Sequence, residues 1–222
     1  MKIFIKSFLI LFTINLISCA SAAGVKFQKG EKFNPKTSKV VTMAVFDMSQ
    51  NKVGDTEDET IKLFGSIASA QVGSIYSSLI PGGEATLKAA EAVGVKDDLD
   101  KAMGNLTEAV VNANSVDFKT TEVFAKIAIK VGAEALAFPL VSGGKDALLA
   151  DGGVVYRFVI YDIRNPGIQY IAQSEPAQLN KFFYEKADEN QKKAMVSTTA
   201  TNSINALFDK IKEELNKEKE AK

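Results

Sequence analysis

The chain has 222 residues, 46% of them hydrophobic, and its 27 basic side chains are balanced by 27 acidic ones. This length can bury one sizeable core, and the balanced charge argues against a nucleic-acid partner, which usually requires a basic face. The sequence has no histidine, no tryptophan and a single cysteine. It therefore excludes histidine-based triads, the common zinc sites and internal disulfides, and we predict no metal site and no cofactor.

Residues 1–18 have the three-part pattern of a signal peptide. Lys2 and Lys6 form a basic start, and an apolar stretch follows at 8–17. That stretch is shorter than the ~20 apolar residues that a membrane-spanning helix needs. We therefore predict export and removal of this leader.

The leader ends in Leu16-Ile17-Ser18-Cys19, which resembles the bacterial lipobox. The resemblance implies that Leu16, Ile17 and Ser18 direct a signal peptidase to cut before Cys19. It also implies diacylglycerol on the Cys19 thiol and a further acyl chain, such as palmitate, on the new amino terminus. Because two or more acyl chains hold a protein firmly in a bilayer, Cys19 would be a membrane anchor. The alternative is an ordinary secreted protein that is cleaved near Ala23.

Residues 19–39 begin with the lipidated cysteine and continue as a small, polar and basic segment, which predicts a flexible tether. The globular domain is predicted at 40–217 and a charged tail at 218–222. Residues 40–47 (VVTMAVFD) are short and apolar, which favours a central strand. Asp47 at its end is either an active-site acid or a residue that caps the loop, and we favour the cap.

A helix is predicted at 58–80, where apolar residues recur at steps of three and four. Residues 84–116 predict two further helices with a break near Gly94, and we interpret this segment as a helical insertion. Another helix follows at 120–131, ended by Gly132. A strand is predicted at 133–141, where Pro139 indicates a strand end or a bulge.

The loop Ser142-Gly143-Gly144-Lys145 has some features of a phosphate-binding loop, but it lacks the complete motif. We therefore favour a flexible turn. The segment 153–174 predicts a β-hairpin, because β-branched and aromatic residues flank a turn that contains proline and glycine.

The last elements are an aromatic cluster, Phe182, Phe183 and Tyr184, and a long helix predicted at 190–217. The aromatic cluster is either a patch that binds a partner or the lid of the core. We favour the lid.

Three stretches resemble a group of bacterial envelope domains: the curli-secretion lipoproteins, the amino-terminal domain of TolB, and the lipoprotein activators of penicillin-binding proteins. Residues 40–47 resemble their opening VAVxxF strand, 132–138 their GADxVxxG strand entry, and 155–167 their xxRLxDxxTG hairpin. The resemblance implies an α/β fold: a single sandwich domain with a mixed β-sheet of about four strands packed against long helices. It also implies a protein-binding role and transfers no catalytic residue.

Three functional hypotheses follow. The first is a non-enzymatic, lipid-anchored envelope protein that binds other proteins in envelope assembly or regulation, with a possible homo-oligomer. The second is a surface-exposed lipoprotein that binds a host or extracellular ligand. The third is an enzyme that uses the acids near strand ends, Asp47, Asp151 and Asp162. We favour the first. The residues Ala20 and Ser21 after Cys19, with no aspartate, favour the outer membrane, and they do not distinguish a domain that faces the periplasm from one on the cell surface.

Overall fold

The computed structural model describes residues 25–30, 39–54, 56–76 and 82–221, with side chains described as far as residue 217. The predicted signal peptide and lipobox therefore lie outside the described residues. Within these ranges the chain forms the mixed α/β fold that the sequence predicts, a single domain with seven strands and seven helices.

The sheet has more strands than the four or so predicted. They are β1 (Lys26–Lys29), β2 (Val40–Thr42), β3 (Phe46–Asp47), β4 (Lys52–Val53), β5 (Ala135–Val141), β6 (Tyr156–Asp162) and β7 (Gly167–Gln173). Their order across the sheet is β1-β7-β6-β5-β3-β4, and β2 also pairs with β5. Both β2 and β3 run parallel to β5, while the pairs β5–β6, β6–β7, β7–β1 and β3–β4 are antiparallel.

Five of the seven helices of the described chain fall close to predicted positions, whereas the short helices at 145–148 and 181–186 were not predicted. The seven are α1 (Glu59–Tyr76), α2 (Glu84–Ala92), α3 (Lys96–Asn112), α4 (Phe118–Val131), α5 (Lys145–Leu148), α6 (Lys181–Lys186) and α7 (Glu189–Ala221). The predicted break near Gly94 is confirmed, since Gly94 adopts a φ of 71° between α2 and α3. Gly132 ends α4 in the left-handed conformation, also as predicted.

Helices cover both faces of the sheet. Side chains of α1 and α7 form one apolar core with one face, and side chains of α2, α3 and α4 form a second core with the other. β5 lies between the two cores, and all seven of its residues are buried. Because helices cover β5 on both faces, its residues are apolar throughout and do not alternate between apolar and polar.

The strand predicted at 40–47 forms as β2 and β3 with an interruption between them. Residues 43–45 turn toward the start of α2: the Gly83 N–H donates to the Thr42 carbonyl at 2.8 Å, and the Ala44 N–H donates to the Thr86 hydroxyl at 3.2 Å. One predicted strand therefore appears as two short ones, which contributes to the higher strand count.

Pro139 lies inside β5, so the predicted strand end there is wrong. The irregularity lies in the neighbouring strand, where the three residues 43–45 stand opposite only residues 138–139 of β5. The Ala137 carbonyl faces β2, because it accepts a hydrogen bond from the Met43 N–H at 2.8 Å. Alternate residues of a strand direct their polar groups to the same side, so the Pro139 nitrogen faces the interruption between β2 and β3. A proline at this point costs the sheet no hydrogen bond.

The predicted tether contains β1, which pairs antiparallel with β7. Phe27 packs against Tyr170 with ring centroids 6.0 Å apart, and the Lys29 ammonium contacts the Glu214 carboxylate on α7 at 2.6 Å. The polar composition of 20–39 hides this strand, since among the described residues of this segment only Phe27 and Val25 pack apolar side chains against the first core. Residues 26–29 of the predicted tether are therefore part of the sheet.

No helix within the described ranges is both long enough and apolar enough to cross a bilayer.

Candidate interaction surfaces

The structure separates the acids that an enzyme would need to bring together. Asp47 pairs with Val141 at one end of β3 and β5, whereas Asp162 pairs with Ala135 at the opposite end of β5. Six residues of a strand span roughly 20 Å, while paired catalytic carboxylates lie within ~5–10 Å of each other. Asp151 lies in an exposed turn before β6. These acids do not form a shared site.

Two of these acids stabilise turns. Asp47 is buried, and its Oδ1 accepts hydrogen bonds from the N–H and hydroxyl of Ser49 at 2.8 and 2.6 Å. Asp162 Oδ1 accepts from the Asn165 N–H at 2.9 Å in the β6–β7 turn. The favoured interpretation of Asp47 as a loop cap agrees with this geometry.

The glycine-rich loop at 142–145 leads into α5, and a carboxylate takes the position that a phosphate would need. Asp58 Oδ2 accepts a hydrogen bond from the Lys145 N–H at 2.7 Å. The same side chain caps α1 by accepting from the Thr60 N–H at 2.8 Å, the Ile61 N–H at 3.3 Å, and the Thr60 hydroxyl. A Cβ at Gly144 would overlap the Asp58 carboxylate. The loop therefore joins α5 to α1 and needs glycine for close approach.

Asp58 is held in its charged form by these contacts. Partial burial raises its pKa, but the hydrogen bonds from Thr60, Lys145 and Ile61 outweigh that effect and lower the pKa from its ordinary value. A carboxylate that accepts several N–H bonds favours the charged state.

The prediction that Phe182 and Phe183 form a lid over the core is wrong. Both side chains are 58% exposed, and α6 contains no buried residue. Tyr184 alone packs against the edge of the first core. Successive side chains of a helix point about 100° apart around its axis. The three consecutive aromatic side chains therefore cannot all face the core.

We refer to Phe182 and Phe183 as the α6 pair. Their rings meet edge to face with centroids 5.5 Å apart, and the Lys186 ammonium lies 3.7 Å from the centroid of the Phe182 ring. The α6 pair is thus an exposed aromatic surface with a cation beside it.

A second apolar surface, which the sequence pattern did not predict, lies on α4. Phe118 is 83% exposed and Ile129 is 76% exposed. They lie about three helical turns apart on the face that points away from the sheet. Phe118, Glu122, Ala125 and Ile129 follow one another at steps of four, three and four, and we call this row the α4 ridge. Its polar member is paired, because Glu122 contacts Lys126 at 2.8 Å.

The inward face of α4 holds the α4 ridge firmly on the sheet. Phe124 packs between Phe138 and Tyr161, with centroid distances of 4.7 and 5.5 Å, and the Thr121 and Tyr161 hydroxyls are 2.7 Å apart. Asp117 caps the helix by accepting from the Thr120 N–H at 2.9 Å. This hydrogen bond is the main reason that the pKa of Asp117 is lowered.

A sequence signal for the ridge exists in the helical periodicity. The inward residues Val123, Phe124 and Ile127 define one face, and Ile129 falls on the opposite face, where an apolar residue has no core to join. The helix predicted at 120–131 begins two residues after Phe118, so the predicted element does not include this residue. The other predicted site, the lipobox of Leu16, Ile17, Ser18 and Cys19, lies outside the described residues and stays a prediction.

No protein-family model and no curated protein matches the chain. Three solved structures show a distant likeness. The LpoB C-terminal domain of Salmonella enterica has a TM-score of 0.38 and 11% identity, with 62% of this chain and 82% of that chain covered. A PelC variant dodecamer from Paraburkholderia phytofirmans has a TM-score of 0.36 and 13% identity, with 68% and 79% covered.

A further PelC dodecamer from the same organism has a TM-score of 0.33 and 14% identity, and the match covers 83% of this chain and 94% of that one. At these values the similarity concerns the general fold and carries no conclusion about function. The envelope group named from the sequence therefore stays a prediction beyond this distant likeness.

Proposed function

We propose that this protein is a non-enzymatic lipoprotein of the bacterial envelope, anchored through lipid on Cys19, that acts by binding another protein. The proposal joins the lipobox of the sequence with one structural observation. That observation is the α4 ridge, where Phe118 and Ile129 stand largely exposed on a helix whose other face is firmly packed.

The geometry of the α4 ridge suits a protein partner. Its two large apolar side chains are spaced by about three turns, with the small Ala125 between them. A partner can therefore approach the helix closely at the centre while Phe118 and Ile129 fill pockets on either side. Exposed aromatic residues on a rigid support commonly dominate the binding energy of an interface, since little conformational entropy is lost there.

The anchor is tested by the intact mass of the detergent-extracted protein beside its Cys19→Ala variant. We expect a mass equal to residues 19–222 plus acyl groups, and no acyl groups on the variant. An unmodified chain that begins near Ala23 would contradict the lipoprotein part of the proposal.

The partner is tested by a photo-crosslinking amino acid placed at 118 or at 129 in living cells. Lys62 on α1 is the matched control, because its side chain is 53% exposed in the opposite helical layer. We expect one adduct from both ridge positions, none from position 62, and loss of the position-129 adduct when Phe118→Asp is added. Mass spectrometry of the adduct identifies a different envelope protein or a second copy of this chain.

Equal adducts from all three positions, or none from the ridge, would contradict binding at the α4 ridge. An adduct with a second copy of this chain would show that the α4 ridge mediates self-association and does not bind a different envelope protein. Protease treatment of intact cells then determines which side of the membrane the domain faces.

A further inference from the structure

The α6 pair lies at the end of the sheet where the chain arrives from Cys19. The register of β1 and β7 places Lys26 opposite Gln173 and Lys29 opposite Tyr170. The amino end of β1 therefore lies beside the carboxyl end of β7. Only residues 20–24 separate Cys19 from the first described residue, Val25, and such a link reaches at most roughly 20 Å.

The chain leaves β7 at this same end and leads to α6. The Ser174 N–H donates to the Tyr156 carbonyl at 2.9 Å, and the Leu179 N–H donates to the Leu148 carbonyl at 2.7 Å. Tyr156 is the first residue of β6 and pairs with Val141 at the end of β5. The segment before α6 thus crosses the same end of the sheet at which β1 begins, and it runs from β7 past β6 toward α5.

The direction of α7 also places α6 at this end of the sheet. It starts just after α6 and runs away from that end, since Glu214 near its carboxyl end contacts Lys29 at the far end of β1. The lipid anchor and α6 therefore lie toward one pole of the domain, and the carboxyl-terminal part of α7 lies toward the other.

We propose that the α6 pair inserts into the lipid surface beside the anchor, so that the domain is held against the bilayer at two points. This inference rests on the proposed lipid anchor at Cys19. Aromatic rings with a neighbouring lysine are typical of segments that lie at the membrane interface. The Lys186 stem can extend so that its ammonium stays at the headgroups while the Phe182 ring enters the apolar region.

The surroundings of α6 make the contact mainly apolar. Residues 181–193 contain four lysines and three acidic residues, so their net charge is close to zero. Electrostatic attraction to anionic lipid grows with the number of uncompensated basic residues, so the residues around α6 add little of it. The contact is therefore expected on zwitterionic lipid and expected to be insensitive to salt.

Tryptophan substitution tests this contact on the complete, acylated protein. Because the chain has no tryptophan, Phe182→Trp introduces a single fluorescent reporter, and Phe118→Trp on the α4 ridge is the matched control at another exposed phenylalanine. Each variant is reconstituted in phosphatidylcholine vesicles with and without brominated lipid. We expect the tryptophan at 182 to emit at shorter wavelength and to lose at least half of its intensity with brominated lipid, at low and high salt alike.

The control tryptophan at 118 is expected to emit as in water and to lose less than a tenth of its intensity. Acylated protein that floats with the vesicles while the reporter at 182 stays unquenched would overturn the second contact and leave the anchor intact. A chain that carries no acyl group and does not float would overturn both the anchor and this inference. A blue-shifted emission at 182 in the Cys19→Ala variant without lipid would show that protein covers the α6 pair, which also overturns it.

Discussion

The α4 ridge and the α6 pair are both exposed and apolar, but they are supported very differently. The ridge stands on a helix of fourteen residues with five buried side chains, a bidentate Asp117 cap and a hydroxyl contact to the sheet. The α6 pair stands on six residues with no buried side chain and an Asn180 cap whose hydrogen bond to the Phe183 N–H measures 3.4 Å. The two surfaces are therefore similar in exposure and differ in how firmly their helices are packed.

Support determines what an exposed apolar surface can recognise. A rigid helix offers side chains at fixed spacing, which allows a partner with matching pockets to bind without an ordering cost. A short helix held mainly by Tyr184 offers rings without a fixed pattern, which suits a fluid lipid surface that has no pockets. This difference is the reason that we propose a protein partner for the α4 ridge and a bilayer for the α6 pair.

The largest expected effect separates the two supports directly. Phe124→Ala removes a fully buried ring between Phe138 and Tyr161, and we expect it to lower the free energy of unfolding by about 3–5 kcal/mol. Tyr184→Ala removes the main packed side chain of α6 and should cost about 1 kcal/mol or less. Urea unfolding of both variants in the same buffer checks this. Equal losses would show that α6 is as firmly packed as α4.

The second prediction concerns Asp58, which joins α5 to α1 beneath the segment that leads to α6. Asp58→Ala leaves two helix starts without their acceptor, so we expect a loss of about 2 kcal/mol at pH 7. The folded-state pKa of Asp58 is lowered. Its charge therefore adds stability above its unfolded value of about 4, and this stability is lost as the pH falls through the folded value.

A pH series checks the sign of that effect. The wild-type chain should lose free energy of unfolding below about pH 4, and part of this loss should be absent in Asp58→Asn, which keeps the size of the side chain but cannot ionise. The matched control is Asp151→Asn, an exposed acid in a turn. A wild-type pH slope in Asp58→Asn would contradict the role of the charged carboxylate.

The third prediction tests the short link between the anchor and the sheet. Phe27→Ser removes the contact with Tyr170 and should cost about 1–2 kcal/mol, since the ring is partly buried. Release of β1 would leave residues 20–39 as the link, which reaches far beyond roughly 20 Å. In the Phe182→Trp protein we expect quenching by brominated lipid to fall at least twofold. Gln28→Ser, on the same strand but exposed, should leave the quenching unchanged.

Much of the fold follows from the sequence because periodicity reports burial. The stripes of α1, α4 and α7 and the hairpin of β6 and β7 are each long enough for the apolar pattern to be unambiguous. The strands β1 and β4 are not, since a strand of two to four residues with lysines contains too few apolar positions to show alternation.

The candidate surfaces follow from the sequence only in part. The sequence shows three consecutive aromatic residues at 182–184, but such a triplet does not indicate which ring faces the core. The position of α6 at the anchor end depends on the pairing of β1 with β7, which brings residues 26 and 173 together. Such contacts between distant parts of the chain leave no mark on local periodicity.

The smallest expected effect concerns the cation beside the α6 pair. The Lys186 ammonium over the Phe182 ring is exposed to water, where such contacts contribute about 0.5–1 kcal/mol. Because α6 contains no buried residue, loss of this contact in Lys186→Met should change the global free energy of unfolding by less than about 0.5 kcal/mol.

The same variant should strengthen lipid contact. Without Lys186, the Phe182 ring can enter the bilayer with no neighbouring ammonium group that has to stay hydrated. We expect about a twofold increase in the quenching of a tryptophan at 183, introduced as Phe183→Trp, on phosphatidylcholine vesicles. Weaker quenching in Lys186→Met would mean that attraction between the ammonium and lipid phosphate holds α6 at the surface. The contact would then depend on salt, and the difference between the two surfaces would rest on charge instead of on the rigidity of their support.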